Sequence, residues 1–298
     1  MSAVTTSEVQ EVSSVSIVPG VGTILAATVA ATLIGALSNS AREVFSRSLD
    51  GINQSPQKDG VLVPSETLLI KQKILEQKVD RLVDRSGLGQ VESLKVQTLL
   101  TLTTTPYMVH NPATLEQSLK AIRIATTAEA VLEARFELLK AVKTSHDQIF
   151  IATLSNACIR AAKKIGFNAS KTMTGHAGTT QIVACDSAGR ALITEISNSS
   201  NGRPVIATEI VGVFDGSCAG IIDAFEKAME LEGVRASTPR RKLTGGVCTL
   251  ATARAFVRKK VKPVHIIRDA VAETKETDSA IRRRLMNRPN GQTQLSNR

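Results

Sequence analysis

Aromatic residues are nearly missing from this 298-residue chain: they make up 3%, with no Trp and a single Tyr, Tyr107. That scarcity removes the stacking platforms on which single-strand and RNA base recognition depend. The core must therefore be built from Ala, Val, Ile and Leu. Cysteines are few and unpaired in sequence. Cys158, Cys185, Cys218 and Cys248 include no C-x-x-C pair, which disfavours a zinc ribbon or a thioredoxin-type motif, and four in so long a chain do not make a secreted disulfide scaffold. Reduced, mostly buried thiols in a cytoplasmic chain are the expectation. Phosphate-loop and dinucleotide-binding fingerprints are absent too. The four histidines (His110, His146, His176, His265) are too scattered to mark a metal site, and no cofactor is implied.

What is present is a globular composition, 42% hydrophobic and 21% charged, in a chain long enough for one large or two ordinary domains. The net charge of +10 is uneven. From Arg235 onward there are sixteen Lys and Arg against four acids, which leaves 21 basic and 23 acidic side chains for everything before. The basicity belongs to the C-terminal segment, where a positive field suits phosphates, an anionic surface or an acidic protein.

Along the chain, residues 1–16 are polar and Ser/Thr-rich and read as flexible. Region 17–49 contains an apolar run, Ile17–Leu37, close to the roughly 20 residues a membrane-spanning helix needs. As a span it would have acids on one side and Arg42 and Arg47 on the other, which directs the long C-terminal part to the cytoplasm. As an Ala/Thr-rich segment opened by Pro19, Gly20 and Gly22, it suits a helix buried in the fold equally well, and both readings stand. Residues 50–65 form a Gly/Pro/Asn-containing linker. Region 66–143 is helical: an amphipathic helix after Pro64 with Leu68, Leu75 and Leu82 seven apart, another over Val91–Thr101, and one over Thr114–Lys143.

In region 144–234 a helix over His146–Gly166 precedes a change of period. Thr180–Cys185 and Arg190–Ser197 are β-type runs joined by a hairpin turn at Asp186–Gly189, and Val205–Phe214 is a longer, almost wholly apolar strand. Asp215-Gly216-Ser217 turns it into a helix over Cys218–Glu232. The expectation is an α+β fold with a helical N-terminal half, then a small antiparallel three-stranded sheet with helices packed on one face, and a basic helical segment over 235–287. Residues 288–298 read as a disordered end.

Two settings could carry chemistry. Cys218 and Cys248 each follow a glycine by two residues and sit where a helix begins. A helix N-terminus lowers a thiol's pKa, so Cys218 is the candidate nucleophile, and the same turns could hold an anion. Against this stands the plainer role of a small apolar residue filling a strand–helix junction. The second setting is the basic segment, whose clusters Arg240-Arg241-Lys242, Arg258-Lys259-Lys260 with Lys262, and Arg282-Arg283-Arg284 could neutralise phosphates or meet an acidic protein surface. No helix–turn–helix, zinc finger or RNA-binding motif accompanies them.

Residues 181–234 carry Ile182, Asp186, Gly189, Gly212, Gly216-Ser217-Cys218 and Gly233, an I-x-x-x-D-x-x-G stretch followed by a strand ending in Gly, a G-S-C turn and a helix closing on Gly. In this the segment resembles a small uncharacterised family of bacteria and plastids often encoded near AAA-type ATPases. The resemblance covers about a fifth of the chain, and the loop Asn198–Pro204 departs from the pattern. It implies no activity, only an accessory role beside an ATPase. Together these features describe a non-enzymatic accessory or adaptor protein. Its domain would bind a protein partner, its residues 235–288 would contact nucleic acid or another anionic surface, and Ile17–Leu37 would touch a membrane or another subunit. The alternatives are a sequence-independent nucleic-acid-binding protein and a thiol-dependent enzyme centred on Cys218.

Overall fold

The structure, a computed structural model, describes residues 3–13, 24–25, 34–35, 37–52, 61–104, 106–174, 179–198, 203–244 and 247–260. The chain divides into two compact units, Met1–Leu250 and Ala251–Arg298.

The spine of the first unit is one helix, α5 (Ala128–Lys164), 37 residues long and so roughly 55 Å from end to end. Thr127 opens it, its side chain accepting the Ala130 N–H at 3.3 Å, and Glu129 stands in its first turn with Lys163 and Lys164 in its last, each charge facing the favourable end of the helix dipole. Gly166 closes it at φ +87°, with Phe167 N–H donating to Ala162 O and Gly166 N–H to Lys163 O, a paired bond that only a left-handed residue permits.

The two ends of α5 serve two cores. Its first half gives Val131, Ala134, Leu138 and Val142 to an apolar cluster shared with α1 (Asn39–Ile52), α2 (Ser65–Asp84), α3 (Gln90–Thr104) and α4 (Ala113–Ile124). Its second half gives Ile149, Phe150, Leu154, Ala157, Cys158 and Ala161 to a second cluster against the sheet. The expected boundary between residues 143 and 144 is thus overturned. Thr144-Ser145-His146-Asp147 reads as a helix break because its residues are polar, yet Thr144 Oγ1 donates to Lys140 O and the other three bond to neighbouring segments, so the helix runs on. The helix expected over Thr114–Lys143 is in turn broken at Ala125, whose extended backbone ends α4.

The sheet corrects the expected fold class: among the described residues eight strands pair antiparallel, not three. The main order is β10 (Arg240–Leu243), β1 (Ala3–Ser13), β8 (Pro204–Val211), β7 (Ala191–Asn198), β6 (Thr180–Cys185), β5 (Asn168–Thr174). β9 (Val234–Ala236) and β3 (Val61–Leu62) pair with the later part of β1. The segment expected to be flexible, residues 1–16, therefore supplies a central strand. Its polar composition hides a period of two: Ala3, Thr5 and Val9 are buried, and the hydroxyl of Thr5 is satisfied by donating to Glu226 Oε1 at 2.9 Å. β9 and β10 likewise show that the stretch after 234 begins as strands rather than helix.

One face of the sheet packs on α5 and on α6 (Cys218–Leu231), through Ile182, Ala184, Leu192, Ile196, Ile206 and Ile210. Glu232 joins the ends of these two helices, bonding Arg160 Nε at 2.5 Å and Lys164 Nζ at 2.6 Å. In the expected linker 50–65, residues up to Ile52 belong to α1, Val61 and Leu62 to β3, and 53–60 lie outside the described residues.

Most of the apolar run Ile17–Leu37 also lies outside the description, but Ile24 and Leu25 form a strand, β2, paired with β4 (Met108–Val109), so the run is not one continuous helix. Among the described residues no helix is long and apolar enough to cross a membrane. In the second unit, α7 (Ala251–Lys260) is described; the helix expected over Val264–Met286 and the end 288–298 lie outside the described residues.

Candidate functional site

At the β8–α6 junction Val213 is buried and Phe214 is 94% exposed, and Gly216 turns at φ +79°. Asp215 Oδ1 then accepts from both Ser217 N–H (3.0 Å) and Ser217 Oγ (2.7 Å). Those two donors hold the Asp215 carboxyl below the usual carboxylate range. The chain's own anion thus takes one of the N–H groups of this helix start, that of Ser217. Cys218 follows, but its side chain turns inward: it is 2% exposed and packs in the sheet core with Ile210, Val213, Ile222 and Phe225. His146 lies at a separate junction, described below, and His176 is outside the described residues. Cys158 is fully buried, and burial pushes its thiol up to about 12.

Asp186, Gly212 and Gly233 have backbone work to do. Asp186 closes the β6–β7 hairpin, accepting Arg190 N–H at 2.8 Å and Arg190 Nε at 2.5 Å; burial alone would raise its pKa, and the Arg190 donors and charge outweigh it and hold it low. Gly212 turns at φ +81°, where a Cβ would stand 3.3 Å from Gly189 O. Gly233, at φ +79°, passes so close to β1 that a Cβ would lie 2.4 Å from Ser13 Cβ.

The second candidate junction revealed a carboxylate that sequence reasoning missed. Gly245 and Gly246 lie outside the described residues, and Cys248 is half-buried. Beyond it, Thr249 N–H reaches both carboxylate oxygens of Glu209 at 3.0 Å, Thr249 Oγ1 donates to it at 3.2 Å and Leu250 N–H at 2.8 Å. Glu209 is 0% exposed, paired with Ile193 across β7 and β8, on the sheet face turned away from α5 and α6. The available signal was a lone acid in the middle of the apolar run Val205–Phe214.

A third constellation lies where the two cores meet. His146, 1% exposed, accepts Met108 N–H on Nδ1 at 3.1 Å, so its proton is on Nε2, which donates to Val63 O at 2.8 Å. Burial pushes its pKa down, against the pull of Val63 O and Asp147. Ser145 Oγ accepts His110 N–H at 2.8 Å, and Ser65 Oγ donates to Asp147 Oδ1 at 2.5 Å. Tyr107 meets the His146 ring edge-on at 5.4 Å, and burial, with Asp147 and Glu76 nearby, pushes its hydroxyl up to about 12. A small cleft of about 80 Å³ opens elsewhere, between α6 and β1, with Thr5, Thr208, Phe225, Met229 and Glu230 among its lining residues.

The expected polyanion-binding residues separate into three groups. Arg240 and Lys242 are exposed on β10. Arg241 between them turns to the helix side, where Asp223 (2.5 Å) and Glu226 bind it, and these carboxylates raise its pKa further. Arg258, Lys259 and Lys260 end α7 in the second unit, and Lys262, Arg282, Arg283 and Arg284 lie outside the described residues. Among the described residues no group of His, Cys, Asp and Glu is placed to hold a metal ion. Compared with known proteins, the chain matches no family model, no curated protein and no solved structure.

Proposed function

We propose that this chain is a non-catalytic accessory protein that engages a protein partner, with its basic C-terminal segment contacting an acidic surface or polyanion. The observation that carries the reading is the distribution of charge. Sixteen Lys and Arg stand against four acids after Val234; Arg235 pairs with Glu11 and Arg241 with Asp223 and Glu226, whereas Arg240 and Lys242 are exposed on an edge strand with no ion pair to a described carboxylate. The side chains of types used in catalysis support it from the other side. Cys218 fills the core, His146 spends both ring nitrogens on backbone groups, and Glu209 is saturated by backbone and hydroxyl donors. The family resemblance of residues 181–234 adds an ATPase as the class of partner.

Sequence-independent nucleic-acid binding through the same basic groups is the second reading, and one experiment separates the two. The full chain is purified from native cells by affinity, and co-purifying proteins and nucleic acid are both identified. A stoichiometric protein partner retained after nuclease treatment supports the accessory role. Recovery of nucleic acid alone, released by raising the salt as phosphate contacts require, overturns it.

A further inference from the structure

β10 is the last strand of the sheet on its side. Its inner edge is paired with β1, from Thr6↔Arg240 to Ala3↔Leu243, and among the described residues no strand pairs with its outer edge. In an antiparallel strand alternate residues turn their N–H and C=O away from the neighbour, so the outer edge presents a short row of donors and acceptors. Side chains alternate as well. Arg241 goes to the helix side and is bound by Asp223 and Glu226. Arg240 and Lys242 go to the other face, both exposed and about 7 Å apart along the strand.

That arrangement selects among occupants. A second copy of β10 would bring like charges opposite one another, which is how basic edge strands resist self-pairing. A nucleic acid carries phosphate charge on every side, and here it would meet the carboxylates of Asp223 and Glu226 along one side of the edge. An extended peptide with an acid at every second position avoids both conflicts: its charged face meets Arg240 and Lys242, and its uncharged face meets the acids of α6. The repeat of two residues that spaces Arg240 from Lys242 is also the repeat of a paired strand. We propose that the outer edge of β10 docks an extended, alternately acidic segment of a partner protein as an additional strand. This rests on the accessory-protein reading and gives the chemistry of its partner.

The test uses the full chain and a fluorescent octapeptide of alternating Glu and Thr. Its comparators are the same peptide N-methylated at alternate residues, which keeps the charge but removes ladder hydrogen bonds, and a single-stranded oligonucleotide of equal charge. The expected result is saturable binding of the parent peptide with slowed hydrogen exchange of the 240–243 amides. Binding should weaken at least tenfold for the N-methylated peptide, and at least tenfold for protein carrying Arg240→Glu and Lys242→Glu. Both replaced side chains are exposed, and an unchanged melting midpoint confirms that the variant folds.

The proposal is overturned if no peptide binding is seen, if the N-methylated peptide or the oligonucleotide binds as well as the parent, or if charge reversal changes nothing. A protein partner captured from native cells just as well by the charge-reversed chain would refute the edge while leaving the accessory role standing. Absence of any protein partner refutes the accessory role itself.

Discussion

His146 ties three segments together, and its removal has a calculable consequence. Replacing it with Phe keeps a ring of similar size against Tyr107 but leaves Met108 N–H and Val63 C=O without their partner. A backbone group stranded in a partly buried site costs about 1–2 kcal/mol, so His146→Phe should lower the unfolding free energy by about 2–4 kcal/mol at pH 7.5, read by urea denaturation.

The pH dependence supplies a second, independent sign. The folded chain holds His146 neutral with a pKa below that of the unfolded chain, whose imidazole titrates near 6.5. As pH falls, the unfolded state takes up its proton first. The stabilisation is therefore complete above about pH 6.5 and is lost as pH falls from there through the folded pKa, with a slope of at most about 1.4 kcal/mol per pH unit for this one proton. Between pH 6.5 and 5, above the main carboxylate range, the parent protein should lose stability and the Phe variant should lose less. A variant within 1 kcal/mol of the parent at pH 7.5, or one with the parent's full slope, would refute the assignment of Nδ1 as acceptor.

Glu209→Gln replaces a carboxylate that accepts from Thr249 N–H, Thr249 Oγ1 and Leu250 N–H with a neutral amide that has one acceptor oxygen; loss of charge-assisted bonds should cost about 2–3 kcal/mol and speed limited proteolysis near Thr249 and Leu250, and an unchanged digestion pattern would contradict that role of Glu209. Gly233→Ala combines strain at φ +79° with a contact 2.4 Å from Ser13 Cβ, whereas Gly216→Ala at the same φ meets nothing within 4 Å. The first should therefore destabilise by at least about 1 kcal/mol more than the second, and equal melting midpoints would show that β1 yields freely. Cys218, 2% exposed in the sheet core, should react with iodoacetamide at least a hundredfold more slowly in the folded chain than in urea; comparable rates would return it to the candidate nucleophiles.

Elements with a strong period were legible in the sequence. The runs at 180–185 and 190–197 and the turn at 186–189 are visible because apolar β-branched residues are bounded by Asp and Gly, and the structure places β6, β7 and their hairpin there. Two of the strands that went unseen, β1 and β10, have polar buried positions or charged exposed ones. In β1, Thr5 is buried on the satisfaction of a partner more than 200 residues away, and β10 carries three consecutive cations of which one alone is neutralised by α6. No local pattern holds that information, because the acid that makes Arg241 acceptable in a strand comes from another element. The polar run inside α5 failed in the opposite direction: it looked like an ending because its partners at Val63, Met108 and His110 are far away in sequence.

The same physics explains what the polar side chains at the element junctions do. Asp215, His146 and Glu209 each supply bonds that backbone donors or acceptors at these junctions do not obtain locally. Ser217 N–H goes to Asp215, Met108 N–H and Val63 C=O to His146, and Thr249 and Leu250 N–H to Glu209. Buried main-chain groups at junctions must be paired, and polar side chains at the ends of strands and helices do it. Once those demands are met, the charged groups left over on the 1–250 unit include Arg240 and Lys242, on a strand whose outer backbone edge no described segment pairs. Function is therefore best sought where satisfaction ends, at that basic edge, and the acidic-peptide titration addresses it directly.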